Sequence, residues 1–196
     1  YTQLPAAQRA AFYQLVIFPT KASANITALY DAQAKNHLYA AQARATTNDY
    51  AEKVRELFAK DAALEQEYHQ LNGGKWNHMM SQPHIGFTYW RNPPANLMPV
   101  VSVAEPMPVA DMGVAPEGSA FSWPISEYKG QPLELDPFYP HGQQQRAIEV
   151  FNKGSLPFEF SAKASADWIK LSQIKGQVEV TKTLQVKIDW SKVKTG

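Results

Sequence analysis

Gly73-Gly74-Lys75-Trp76-Asn77-His78-Met79-Met80 ends the helical half of the chain, and the sequence on either side of it is of different kinds. The paired glycines stop a helix because their backbone tolerates the left-handed conformation that chain reversal needs. Upstream, Tyr50, Val54, Leu57, Phe58, Leu64, Tyr68 and Leu71 recur with a period of 3.6, predicting a long amphipathic helix with Thr46 or Thr47 at its start. Two further helices are expected before it. Pro5 opens the first, whose apolar residues Phe12, Leu15, Val16, Ile17 and Phe18 lead to Pro19, where a proline should end or kink it. The second covers residues 21–45, with Ile26, Leu29, Tyr30, His37, Leu38 and Ala41 turned inward. An amphipathic helix cannot bury its stripe alone, so three of them imply an antiparallel helical bundle over residues 1–94.

Downstream the periodicity disappears. Prolines from Pro93 to Pro140 interrupt every potential long element in residues 95–144 and leave only short extended runs such as 98–103 and 133–135. Met98, Met107, Met112, Phe121, Trp123, Tyr128, Phe138 and Tyr139 give this stretch apolar anchors, so it reads as an ordered wrapping segment, not a free linker. From Gln145 the period becomes two: Ala147, Glu149 and Phe151 alternate with Ile148 and Val150, and Phe158, Phe160, Val178, Val180, Leu184, Val186 and Ile188 follow. Asn152-Lys153-Gly154-Ser155 supplies a turn, and Trp168 and Trp190 are candidate core anchors. Residues 145–196 therefore predict a partial β-sandwich. About four strands are visible, fewer than an immunoglobulin-like sandwich uses, so its remaining strands come either from outside these residues or from the Pro-rich segment. The fold class is multidomain α + β.

The formal charge of +1 offers no bulk attraction to nucleic acid. No run of residues is long and apolar enough to span a membrane, and no export signal is visible at the start of the chain. Cysteine is absent, which removes disulfides and thiolate chemistry. The five histidines are too scattered for a metal site, and no cofactor is implied. Asn25-Ile26-Thr27 matches the N-glycosylation pattern inside a helix, where it reads as chance.

The functional candidate is the segment after the glycines. Indole faces stack on sugar C–H surfaces, and Lys75, Asn77, His78, Gln82 and His84 offer donors and acceptors for hydroxyls. Lys75 or His84 would also suit the carboxylate of a uronic acid. The competing reading has Trp76, Met79, Met80 and Trp90 simply closing the end of the bundle. Glycoside hydrolysis uses two positioned carboxyl groups. Glu105, Asp111, Glu117 and Glu127 lie among prolines with no spacing that would pair them, and read as surface groups.

Several stretches resemble one known family. Leu4-Pro5, residues 10–19 (AAFYQLVIFP), Lys21-Ala22-Ser23-Ala24, residues 73–80 (GGKWNHMM), Gln82-Pro83-His84-Ile85-Gly86 and Trp90 are similar to the C-terminal helical portion of the xylan α-1,2-glucuronidases of glycoside hydrolase family 115. Residues 145–196, with Asn152-Lys153-Gly154, Trp168-Ile169 and Asp189-Trp190-Ser191, resemble the start of the β-sandwich that follows in that family. The resemblance implies a parent enzyme that removes glucuronic or 4-O-methyl-glucuronic acid from glucuronoxylan or aldouronic acids. Its catalytic carboxylates would come from a barrel domain outside these residues, so no catalytic residue is assigned here. The substrate-binding residues it implies are Lys75, Trp76, Asn77, His78, Gln82 and His84. It further implies an exported, periplasmic or extracellular parent and homodimer contacts. The alternative is a non-catalytic carbohydrate-binding or structural module.

Overall fold

A computed structural model describes residues 1–193; the side chains of Glu127 and Tyr128, and the final residues 194–196 of the expected β region, lie outside the described set. The architecture is mixed α + β with antiparallel sheets. The chain forms two compact units, residues 1–37 with 48–102, and residues 38–47 with 103–196. Residues 95–144 are thus shared, the first eight falling in the first unit and the rest in the second.

In the first unit, α1 (Ala6–Phe12), a π-helical turn (Tyr13–Ile17) and α2 (Phe18–Ala41) follow one another without a break, residues 38–41 of α2 being assigned to the second unit. Of the two outcomes expected at Pro19, an end or a kink, the helix does not end there. Proline breaks an α-helix because it lacks an N–H and its ring strikes the carbonyl four residues back. Here the preceding turn is widened: the Phe18 N–H donates to the Tyr13 carbonyl, five residues back, and the Thr20 hydroxyl donates to the Val16 carbonyl at 2.7 Å. The expected first and second helices are consequently one, and the unit has two long helices.

The second is α3 (Thr47–Gly74), whose regular part ends where Leu71 turns extended (ψ 138°). Asn72, Gly73 and Gly74 then all take positive φ, which reverses the chain at the expected place. Val54, Leu57, Leu64 and Tyr68 of its predicted stripe are buried. The inward face of α2 differs from expectation: Tyr30, His37 and Ala41 are exposed, and Asn25, Leu29, Ala32 and Asn36 are buried. Two of those four are polar because each meets backbone. The Asn25 amide donates to the Leu57 carbonyl at 2.9 Å, which also removes it as a glycosylation acceptor. Asn36 accepts from the Ser102 N–H at 2.7 Å and donates to the Ser102 carbonyl at 2.9 Å, so one side chain does for the 98–103 run what a neighbouring strand would do. That run belongs to no sheet. Leu29, Ala32, Val54, Leu57 and Ile85 form the unit's core.

In the second unit the Pro-rich segment contributes an edge strand to a sheet. β1 (Met112–Pro116) pairs with β2 (Gln145–Asn152), which pairs with β6 (Thr181–Ile188), which pairs with β4 (Ile169–Leu171), all antiparallel. β3 (Phe158–Ser161) and β5 (Lys175–Val178) make a separate two-stranded sheet. Pro116 is tolerated because β1 lies at an edge. A four-residue helix, α4 (Ile125–Tyr128), interrupts the wrapping stretch, and a short 3-10 turn (Trp190–Lys192) follows β6. Val150 and Leu184 of the larger sheet pack with Phe160 and Val178 of the smaller one. Trp168 and Trp190 are only partly buried, so the anchoring aromatics are Phe151 and Phe160 instead.

Two polar devices tie the second unit together. Asn152 is 1% exposed; its side-chain oxygen accepts from the Gly154 N–H at 2.9 Å, and its side-chain amide N–H groups donate to the Leu156 and Glu179 carbonyls. Arg44, also 1% exposed, pairs with Glu149 at 2.7 Å and lies between the rings of Tyr39 and Phe151, at 4.3 and 4.0 Å from their centroids. On Phe151's cross-strand partner Gly113, an added Cβ would fall 2.2 Å from the ring.

Candidate functional site

The glycine-led segment is anchored to one face of α3. Asp61, Glu65 and His69 stand at four-residue intervals, so they form a polar row beside the buried stripe. His69 accepts the Met80 N–H at its Nε2, 3.3 Å away, which places the ring proton on Nδ1, the atom 3.9 Å from a Glu65 oxygen. Residues 74–80 turn tightly below it, with Asn77 N–H donating to the Gly74 carbonyl and Met79 N–H to the Trp76 carbonyl.

His84 closes the segment. Its Nε2 is 2.8 Å from an oxygen of Asp61, which is buried, and its Nδ1 is 3.1 Å from the Gln82 carbonyl. The Asn96 side-chain carbonyl accepts from both the His84 and Ile85 N–H groups, at 2.7 and 3.0 Å. Gly86, at φ 96°, lies so close to Leu97 that an added Cβ would be 2.7 Å from the Leu97 Cβ. The peptide from 84 to 86 is thereby held against α3 and against residues 96–97.

Two hollows adjoin this segment and share Glu65. The first, about 660 Å³, is lined by Gln66, His69, Gln70, the two glycines and Asn77. Its polar lining is amide and imidazole, groups that both donate and accept, together with the Glu65 carboxylate, which only accepts. The second, about 370 Å³, is lined mainly by apolar groups, among them Phe18, Leu64, Met79, Met80 and Phe87, with Asp61, Gln82 and His84.

The six expected binding residues are therefore divided. Asn77 faces the first hollow, and Gln82 and His84 line the second. Lys75, Trp76 and His78 line neither: the Lys75 ammonium sits 5.6 Å from the Trp76 ring centroid, and the His78 ring is 5.9 Å from that of His69. Lys75 remains exposed and available to an anion, whereas both His84 ring nitrogens already face oxygens. Met79 is 58% and Trp90 84% exposed, so neither closes the end of the helices. Asp61, Glu65, Gln66, His69 and Gln70 were not singled out from sequence. The spacing of Asp61, Glu65 and His69 is visible there, but it shares a helix with a stronger apolar stripe that draws the reading.

Elsewhere in the unit, burial and then the neighbouring Glu67 carboxylate push the Tyr13 phenol above its ordinary range. Burial would raise Glu67 as well, but the Tyr13 hydroxyl and the Lys21 ammonium, 3.1 Å away, outweigh it and hold the carboxyl below its ordinary value. Of the acids considered for hydrolysis, Asp111 pairs with Lys153 at 2.8 Å. Among the described residues no group of three His, Asp or Glu is placed to hold a metal ion, and no helix is long and apolar enough to cross a membrane. Compared with known protein families the chain matches none, and no curated protein matches it.

Proposed function

We propose that this chain is the C-terminal accessory portion of a xylan α-1,2-glucuronidase of the glycoside hydrolase family 115 type, and that its glycine-led segment helps line the sugar site of the parent enzyme. The observation that carries the reading is the first hollow: amides from Gln66, Gln70 and Asn77, the His69 ring and the Glu65 carboxylate line about 660 Å³. Such groups suit a polyhydroxylated ligand, because each hydroxyl needs both a donor and an acceptor. Exposed Lys75 stands two residues from Asn77 and suits a uronate carboxylate. In this reading α2 and α3 belong to a helical-bundle domain, the two sheets to an immunoglobulin-like sandwich, and the parent is an exported homodimer. Catalytic carboxylates come from a barrel domain elsewhere in the parent, so the chain by itself releases no glucuronic acid from glucuronoxylan or aldouronic acids.

The test uses the parent enzyme. Asn77→Ala and Lys75→Ala should lower kcat/KM for aldouronic acids by roughly 10-fold or more if each loses a contact to substrate, with little change in melting temperature. Unchanged kcat/KM in both removes the segment from the site. Release of glucuronic acid by the purified 196-residue chain would refute the accessory role. The second reading, a non-catalytic carbohydrate-binding module, is favoured by the same hollow and predicts saccharide binding by the chain alone without a parent barrel.

A further inference from the structure

The second hollow differs from the first in chemistry. Its walls are Phe and Met side chains with Leu64, a lining that would leave sugar hydroxyls without partners. At about 370 Å³ it is near the lower end of the size range of small-molecule sites, roughly 300–1,000 Å³. Its ionisable lining is two carboxylates, Asp61 and Glu65, and one imidazole, His84, with no lysine or arginine. Asp61 is engaged by His84 at 2.8 Å. Glu65 has the His69 ring at 3.9 Å, too long for a hydrogen bond, so its carboxylate is the charged acceptor left for a ligand.

We propose that this cavity is a binding site for a small organic cation with an aromatic body, a primary arylalkylamine being the simplest example. Phe18, Phe87, Met79 and Met80 supply aromatic and thioether groups that favour such a body. The ammonium group would pair with Glu65. An anion of the same shape would lose its hydration beside two carboxylates. The saccharide reading rests on the other hollow, with which this cavity shares Glu65.

The complete chain, labelled at its methionine methyls, is titrated with 2-phenylethylamine and separately with 3-phenylpropionate. The amine should shift the Met79 and Met80 methyl resonances and bind at least about tenfold more tightly than the acid. Glu65→Gln should weaken the amine by about tenfold and leave the weaker binding of neutral 2-phenylethanol unchanged. Phe87→Ala should weaken all three, and methyl glucuronate should not displace the amine. Equal or tighter binding of the acid, unmoved Met79 and Met80 methyls, or full amine affinity in Glu65→Gln would overturn the proposal.

Discussion

Replacing Arg44 by Ala should be among the most damaging single changes to the second unit. The guanidinium is 1% exposed and its Glu149 partner 14% exposed, so truncation leaves a poorly solvated carboxylate without its counter-charge. Breaking such a pair from one side costs about 3–5 kcal/mol. Loss of the contacts with Tyr39 and Phe151 acts in the same direction, since a desolvated cation–π contact contributes up to about 2 kcal/mol. Arg44→Lys keeps the charge but not the flat face or the fork, and should cost about 1–2 kcal/mol. Glu149→Leu strands the arginine and should resemble Arg44→Ala. The double variant Arg44→Met with Glu149→Leu removes both charges together, and should be more stable than either single truncation because burying a pair is itself expensive. Urea unfolding followed by backbone amide signals of β2 and β6 reads these differences. A cost below about 1 kcal/mol for Arg44→Ala, or costs that simply add in the double variant, would refute the argument.

Three other outcomes are expected. Gly113→Ala places a methyl inside the space of the Phe151 ring and should destabilise the sheet by roughly 1–3 kcal/mol, with Gly113→Ala/Phe151→Leu less affected than the sum in denaturant melts. Glu67 has a depressed folded pKa, so its contribution is present above its ordinary pKa of 4.5 and is lost as pH falls through the depressed value. A stability profile against pH should therefore flatten over that acid range in Glu67→Gln; an identical slope would contradict the assignment. His84→Ala leaves the buried Asp61 carboxylate unpaired and should lower stability by about 1–3 kcal/mol, whereas Asp61→Asn with His84→Ala should recover part of it in thermal melts.

Local regularities were readable before any coordinates. The α3 stripe, the glycine stop, the β6 alternation and the turn after Asn152 all arise from neighbours a few residues apart, whereas β2 buries Val150, Phe151 and Asn152 in succession. What escaped depends on partners far along the chain. Pro19 signals a break unless a π turn precedes it, and nothing in the local composition announces that turn. Asn25 and Asn36 look like surface residues until the backbone they satisfy, at Leu57 and Ser102, is known. β1 sits among prolines and is a strand because β2, and at Val114 also Trp123, pair with it. His84 was visible as a polar residue, but its Asp61 partner is 23 positions away, so the pair that fixes its role was not.

The assignment of residues 38–47 to the second unit has a consequence for how the molecule can be made and divided. Because the first unit is continued on both sides of that insertion, no single cut separates the two. A product beginning at Val103 would carry the sheets but lack Arg44 and the Ala45 N–H that donates to the Asn152 carbonyl. Its Phe151 ring and Glu149 carboxylate would both lose their cover. The sequence separation between Arg44 and Glu149 also makes this a high-contact-order pairing, which must wait for distant strands to be synthesised and brought together. During synthesis the helices can form early, while the loop between them remains without its native partners until β2 has emerged.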